Sequence, residues 1–197
     1  MISLTRITTE HESYKEVEKL MNNSFPIEER RDNIEQRQLA DNKPEFHCMS
    51  ITYKDNINNE TENILVGFIN FWELDGFVYL EHLATKPECR NKGFGHLILD
   101  KLKEYTDLPL VLEVEKPTDS FSERRIKFYE RNGLTYCNKD YLQPPYRQGD
   151  DMLPLNLMFY ADKADASWQC ENMGEHYGHV VKEIHTRVYG YFGQTKY

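Results

Sequence analysis

Apolar and polar positions along this chain recur with two periods, and the switches between them divide it into strands and helices. Met1 to Ile7 alternates as a first strand. Tyr14, Val17, Leu20 and Met21 then fall on one helical face, with Thr8 or Thr9 as the expected cap and Asn22 to Pro26 as the break. A charged second helix is expected over roughly Ile27 to Leu39. Phe46–Tyr53 and Ile64–Leu74 read as strands, joined by a polar hairpin tip over Asn56 to Asn63. Asp75-Gly76 turns the chain into an apolar strand, Phe77 to Thr85, which Pro87 ends because it has no N–H to donate.

Beyond that strand Phe94, Leu97, Ile98 and Leu102 mark a helix. Leu108–Glu115 is the next strand, with Leu110, Leu112 and Val114 facing one way and Val111, Glu113 and Glu115 the other. A helix starting at Ser120 or Ser122 carries Ile126, Phe128 and Tyr129 and closes at Asn132-Gly133. Thr135–Lys139 and Leu153–Tyr160 predict closing strands around Tyr141 to Gly149, a stiff loop with two prolines and two tyrosines. After Tyr160, the positions of Tyr177, Val180, Val181, Ile184 and Val188 predict a packed or partner-binding tail helix.

At 197 residues the chain suits one domain with an appendage. Its net charge of -9 argues against general nucleic-acid binding, which depends on neutralising phosphates, and does not oppose a cationic amine, although charge spread along the chain reads first as a solvated surface. Cys48, Cys89, Cys137 and Cys170 are far apart and indicate neither a zinc site nor a disulfide framework. His176, His179 and His185 lack an acidic or thiol partner, so no metal is expected. With no signal-like or membrane-spanning apolar run, a soluble cytoplasmic protein with no membrane partner is expected.

The chemistry concentrates between the Phe77–Thr85 strand and the helix after it, at Arg90, Asn91, Lys92, Gly93, Phe94, Gly95 and His96. Two glycines let the backbone turn tightly and approach a ligand, and a helix N-terminus offers unpaired N–H groups and partial positive charge. Arg90 and Lys92 add full charges to a cradle suited to pyrophosphate. An ordinary strand-to-helix turn is the plain alternative, although it needs no such pairing of basic residues with glycines.

This run resembles the Gln/Arg-x-x-Gly-x-Gly/Ala signature of the GNAT N-acyltransferases, which hold the pyrophosphate of acetyl-CoA there. Phe128 to Leu134 is similar to the Phe-Tyr-x-x-x-Gly-Phe that ends their acyl-CoA domain, and Phe25 to Arg30 to a run in one branch of the family. The likeness spans roughly Ile2 to Phe159. It implies an α/β (α+β) fold, a mixed central sheet flanked by helices over residues 1–160, with a helical extension over residues 161–197. It departs from the family at Thr118 to Ser122, where an asparagine often meets the pantetheine arm.

The resemblance implies direct acetyl transfer from acetyl-CoA, with no metal, to a primary amine on a small molecule or peptide. A homodimer is left open. Backbone N–H groups around Leu83, Ala84 and Thr85 would serve the oxyanion and pair with pantetheine, and Tyr129 would be the acid for the departing thiolate. Glu81 and Glu113 are the candidate bases, and His82 is a third by chemistry, although strand alternation turns it away. The alternative function is a non-catalytic acyl-CoA-binding or interaction module on the same fold. The resemblance does not identify the acceptor.

Overall fold

The structure, a computed structural model, describes residues 2–57, 60–161 and 166–191. These form two compact units, Met1–Trp72 with Glu81–Thr106, and Glu73–Leu80 with Asp107–Tyr197. Strand β4 (Phe77–Thr85) contributes to both.

In the first unit β1 (Ile2–Arg6) pairs antiparallel with β2 (Phe46–Ile57), and β2 with β3 (Glu60–Leu74). The β2–β3 ladder is longer than its apolar pattern suggests, running to the Ile57–Glu60 pair, because backbone groups pair whatever their side chains. What remains of the expected polar tip, residues 58–59, lies outside the described residues. A bulge interrupts the ladder, since Ile51 pairs with Gly67 but Thr52 with Leu65. Beside it, the Lys86 N–H donates to the Val66 carbonyl at 2.8 Å.

Helix α1 (Tyr14–Ser24) buries Tyr14, Val17, Leu20 and Met21, the face expected. Its cap position is Ser13 rather than Thr8 or Thr9, and Thr9 donates its N–H and hydroxyl to Asp41 at 2.8 and 2.7 Å. The charged helix expected next is split. A 3-10 turn over Ile27–Glu29 gives way to extended backbone at Arg30, and α2 (Asn33–Asn42) starts anew. Asp32 explains the restart, because its side chain accepts the Glu35 N–H at 2.9 Å. Helix α3 (Phe94–Tyr105) buries Ile98, Leu99 and Leu102 and leaves Leu97 41% exposed, a face rotated by one residue from the one predicted. Its ends rest on the sheet through Phe94 against Tyr53 and Tyr105 against Phe71, with ring centroids 5.5 and 5.3 Å apart.

In the second unit Val78–Leu80 of β4 pairs parallel with Leu110–Leu112 of β5 (Leu110–Glu115). Strand β5 pairs antiparallel with β7 (Leu153–Tyr160), and β7 with β6 (Thr135–Gln143). Through β4 the strand order is β1-β2-β3-β4-β5-β7-β6, a seven-stranded mixed sheet flanked by helices, as expected. Strand β6 outruns its predicted end at Lys139 and takes in Tyr141. Asn156 bridges its irregular stretch by donating to the Cys137 and Lys139 carbonyls at 3.0 and 2.9 Å. Helix α4 (Ser120–Arg131) begins in a capping box in which Asp119 caps and Ser122 reciprocates, and ends on Gly133 at φ 83°.

The tail forms α5 (Gly174–Glu183), continued by a π-helical turn over Ile184–Val188. Val180, Val181 and Ile184 are fully buried, and the Tyr177 hydroxyl donates to the Asp140 carbonyl at 3.2 Å, so the tail packs within the second unit. One expectation is corrected here. Cys137 and Cys170 form a disulfide, with Cα atoms 5.3 Å apart, fastening the segment before α5 to β6. Sequence spacing missed it because the fold brings the two together across 33 residues. Among the described residues no helix is long and apolar enough to cross a membrane, and no group of three or more His, Cys, Asp or Glu is placed to hold a metal ion.

Candidate active site

The glycine loop leaves β4 through a 3-10 turn at Pro87–Cys89, in which the Cys89 and Arg90 N–H groups close onto the Lys86 and Pro87 carbonyls. Asn91 at φ 60° and Gly93 at φ 81° then take left-handed conformations and swing the chain into α3. A β-carbon at Gly93 would meet nothing within 4 Å, so backbone conformation rather than crowding requires glycine there. Leu97 makes the bond back to the Gly93 carbonyl, at 3.2 Å. The N–H groups of Phe94 and Gly95 lie in the first turn, where an α-helix has no partner of its own to offer. Arg90, Asn91, Lys92 and Gly93 are exposed around it, and His96 lies 3.2 Å from Asp100.

The Glu81 side chain, also in the first unit, is fully buried in an ion pair with Arg31, whose side chain is 1% exposed. Trp72 Nε1 donates to the other carboxylate oxygen at 3.0 Å, and the Arg31 guanidinium lies over the Trp72 ring, 5.4 Å from its centroid. Burial alone would raise the Glu81 pKa. The charge of Arg31 and the hydrogen bonds from Arg31 and Trp72 outweigh it and hold the carboxyl below its usual range. His82 is held neutral, since burial lowers its pKa by more than Glu81 raises it, and its Nε2 lies 3.0 Å from the Glu29 carbonyl oxygen. Its ring sits edge-on to Phe25 at 4.6 Å. The Phe25-to-Arg31 stretch thus grips β4 at both Glu81 and His82. Sequence reasoning noticed that stretch but missed Arg31 and Trp72. Of the residues after His82, Leu83 and Thr85 are half-buried and Ala84 is buried.

In the second unit Glu113 is half-buried on β5. Tyr141 of β6 hydrogen-bonds its Oε1, and the Tyr189 hydroxyl donates to its Oε2 at 2.8 Å. Tyr189 lies beyond α5, and its only signal in the sequence was an aromatic at the end of an amphipathic segment. Tyr129 of α4 is 8% exposed, packed edge-on against Phe128 at 5.1 Å, and its hydroxyl is hydrogen-bonded to Arg125. Arg125 in turn binds Glu115 at 3.1 Å. Burial raises the Tyr129 pKa more than Arg125 lowers it, so the phenol is neutral across the physiological range. Asp119, in the stretch where the family's asparagine was sought, accepts the Phe121 and Ser122 N–H groups at 2.7 and 2.8 Å.

A mixed sheet whose central strand feeds a left-handed glycine loop and a helix N-terminus forms a place to hold phosphate, and comparison with known proteins gives the class, an acetyltransferase. The model of the "Acetyltransferase (GNAT) family" matches residues 11–134. A solved structure from Bacteroides thetaiotaomicron, named as an acetyltransferase of the GNAT family, is 39% identical with a TM-score of 0.82, covering 95% of this chain and 98% of that one. YjbC of Bacillus subtilis (strain 168), named as an acetyltransferase, is 23% identical over 164 residues, 82% of this chain and 77% of its own. Arabidopsis thaliana NAA60, solved with acetyl-CoA, covers 81% of this chain and 98% of its own at 16% identity and a TM-score of 0.59, a likeness of fold. The chain belongs to the GNAT acetyltransferase family.

Proposed function

We propose that this protein transfers the acetyl group of acetyl-CoA directly to a primary amine. One observation carries the reading. Asn91 and Gly93 turn the chain left-handed into the N-terminus of α3, with Arg90 and Lys92 exposed beside it. A pyrophosphate would accept hydrogen bonds from the first-turn N–H groups and gain from both cations. Gly95 and His96 belong to that first turn, and Leu83, Ala84 and Thr85 supply backbone groups for the pantetheine arm and the oxyanion. Residues 1–160 carry this transferase fold in our reading, and residues 161–197 extend it.

The chemistry must balance protons as well as bonds. The acceptor arrives as an ammonium and gives one proton to a carboxylate. The neutral nitrogen then attacks the thioester carbonyl, a C–N bond forms, and the C–S bond breaks. The leaving thiolate takes a proton from a neutral acid, and the nitrogen gives its second proton, directly or through water, to the conjugate base of that acid, which forms the amide and restores the acid. Tyr129 is our candidate acid. Of the two carboxylates, Glu113 takes the base role in this reading, because Glu81 spends its charge on Arg31 and Trp72.

A panel of primary amines incubated with acetyl-CoA and the full chain tests the reading, with CoA thiol release and acetylated product followed together. At least one amine should release thiol and gain one acetyl group stoichiometrically. No release from any amine, by protein that CoA stabilises against heat, would leave a binding module instead.

A further inference from the structure

Glu113 sits at the meeting of four tyrosines, and three of them, Tyr141, Tyr146 and Tyr189, come from outside residues 11–134, the region the family model matches. Tyr189 follows the π-helical turn at Ile184–Val188 and donates to Glu113 Oε2 at 2.8 Å, while Tyr141 hydrogen-bonds Oε1. A phenol has one proton to give. With that of Tyr189 committed to Glu113, its oxygen accepts from Tyr79 of β4 at 3.1 Å, so the donors run Tyr79 to Tyr189 to Glu113. Tyr146, in the loop after β6, lies 3.5 Å from the same oxygen, with ring centroids 4.9 Å apart.

We propose that Tyr189 is a positioning residue for Glu113, fixing together with Tyr141 the carboxylate that receives the proton of the acceptor ammonium. The inference rests on the reading of this chain as an amine acetyltransferase. It gives the C-terminal segment a part in the chemistry. Each carboxylate oxygen is held by a phenol from a different element, which sets the plane of the group and favours its charged form. The titratable groups around it among the described residues suit that state. Tyr79, Tyr141, Tyr146 and Tyr189 surround it, and burial followed by the charge of Glu113 pushes the Tyr189 phenol far above its ordinary range, so it stays a donor. His185, 5.6 Å from the Tyr141 ring, is pushed down to about 4 by burial and is neutral where the enzyme works. Packing alone does not require that tail hydroxyl, since a phenylalanine ring would fill the same space.

The test is the pH dependence of kcat/KM for the full chain, using the best amine of the panel, in wild type, Tyr189→Phe, Tyr141→Phe and Glu113→Gln. Losing one donor to the carboxylate should move the acid limb of the Tyr189→Phe profile up by about one pH unit and lower kcat about 10-fold. The KM for acetyl-CoA should not change. Tyr141→Phe should shift the limb in the same direction, and it decides the matter if Tyr189→Phe does not fold. Glu113→Gln should remove the limb. An unmoved limb in a folded tyrosine variant, or a surviving limb in Glu113→Gln, overturns the proposal while amine acetylation stands. A wild type that acetylates no amine overturns the underlying reading, and this inference with it.

Discussion

Gly67 of β3 passes so close to Ala84 of β4 that a β-carbon on the glycine would stand 2.4 Å from the Ala84 carbonyl oxygen and 3.1 Å from the Thr85 Cα. Both obstacles are backbone, so nothing flexible can move aside. Gly67 also faces Ile51 across the β2–β3 bulge, and the glycine therefore lets a kinked β3 lie flush against β4. Gly67→Ala should destabilise by about 1–3 kcal/mol through overpacking. That is a fall in Tm of roughly 2–4 °C per kcal/mol for a chain of this size. Calorimetry of the purified variant checks it, and an unchanged Tm would mean that β3 and β4 separate at little cost.

Arg31→Met addresses the buried ion pair. Removing the guanidinium leaves the buried Glu81 charge without its ion-pair partner, which should cost about 3–5 kcal/mol. The double variant Arg31→Met with Glu81→Gln should recover much of that loss, because no charge is then left uncompensated. The pH dependence follows from the sign of the shift. The folded Glu81 pKa lies below its unfolded value, so its contribution is full above about 4.5 and fades as the pH falls through the folded value. Urea titrations at pH 7 and near pH 3 should show the Glu81→Gln penalty shrinking on acidification.

Gly93→Val tests the phosphate loop. The space around Gly93 is open, but its φ of 81° is one a β-branched residue rarely adopts, so the loop should reshape locally while the core stays folded. Wild type at a CoA concentration 100 times its Kd should gain about 2.7 kcal/mol of stability. The variant should lose most of that gain, as should a bulky substitution at Gly95. Full stabilisation in a folded variant would place the CoA pyrophosphate elsewhere.

Local rules made most of this fold legible. Alternation located β1, an apolar run located β4, and the helical faces of α1 and the tail were read correctly, because burial follows what the local pattern records. The loop at Arg90–Gly93 was legible because glycines and a helix start have local causes. What escaped depends on distant residues. Arg31 looked like one more charge on a charged helix until Asp32 capped a new one and left it free to reach Glu81, 50 positions away. The Cys137–Cys170 bridge and the Tyr189–Glu113 bond likewise join elements that only the sheet order brings together. Charged and aromatic residues carry no period that names a partner.

Tyr129 is the residue on which the proposed chemistry can be tested most sharply. It is buried on α4 with its ring against Phe128, and burial keeps its phenol protonated well beyond neutral pH. A proton held that firmly suits an acid that acts only as a strongly basic thiolate appears. Arg125, hydrogen-bonded to the hydroxyl and anchored by Glu115, fixes the direction of the phenol. Tyr129→Phe removes one O–H and keeps the ring, so the Tm and the affinity for acetyl-CoA should change little. Turnover should fall about 10²-fold, the lower end of a general-acid contribution, with kcat rather than KM carrying the loss. Arg125→Met should produce a smaller fall in kcat, since the acid remains but its orientation loosens. Equal turnover by wild type and Tyr129→Phe would make Tyr129 a packing residue, and the thiolate would then leave without a protein acid.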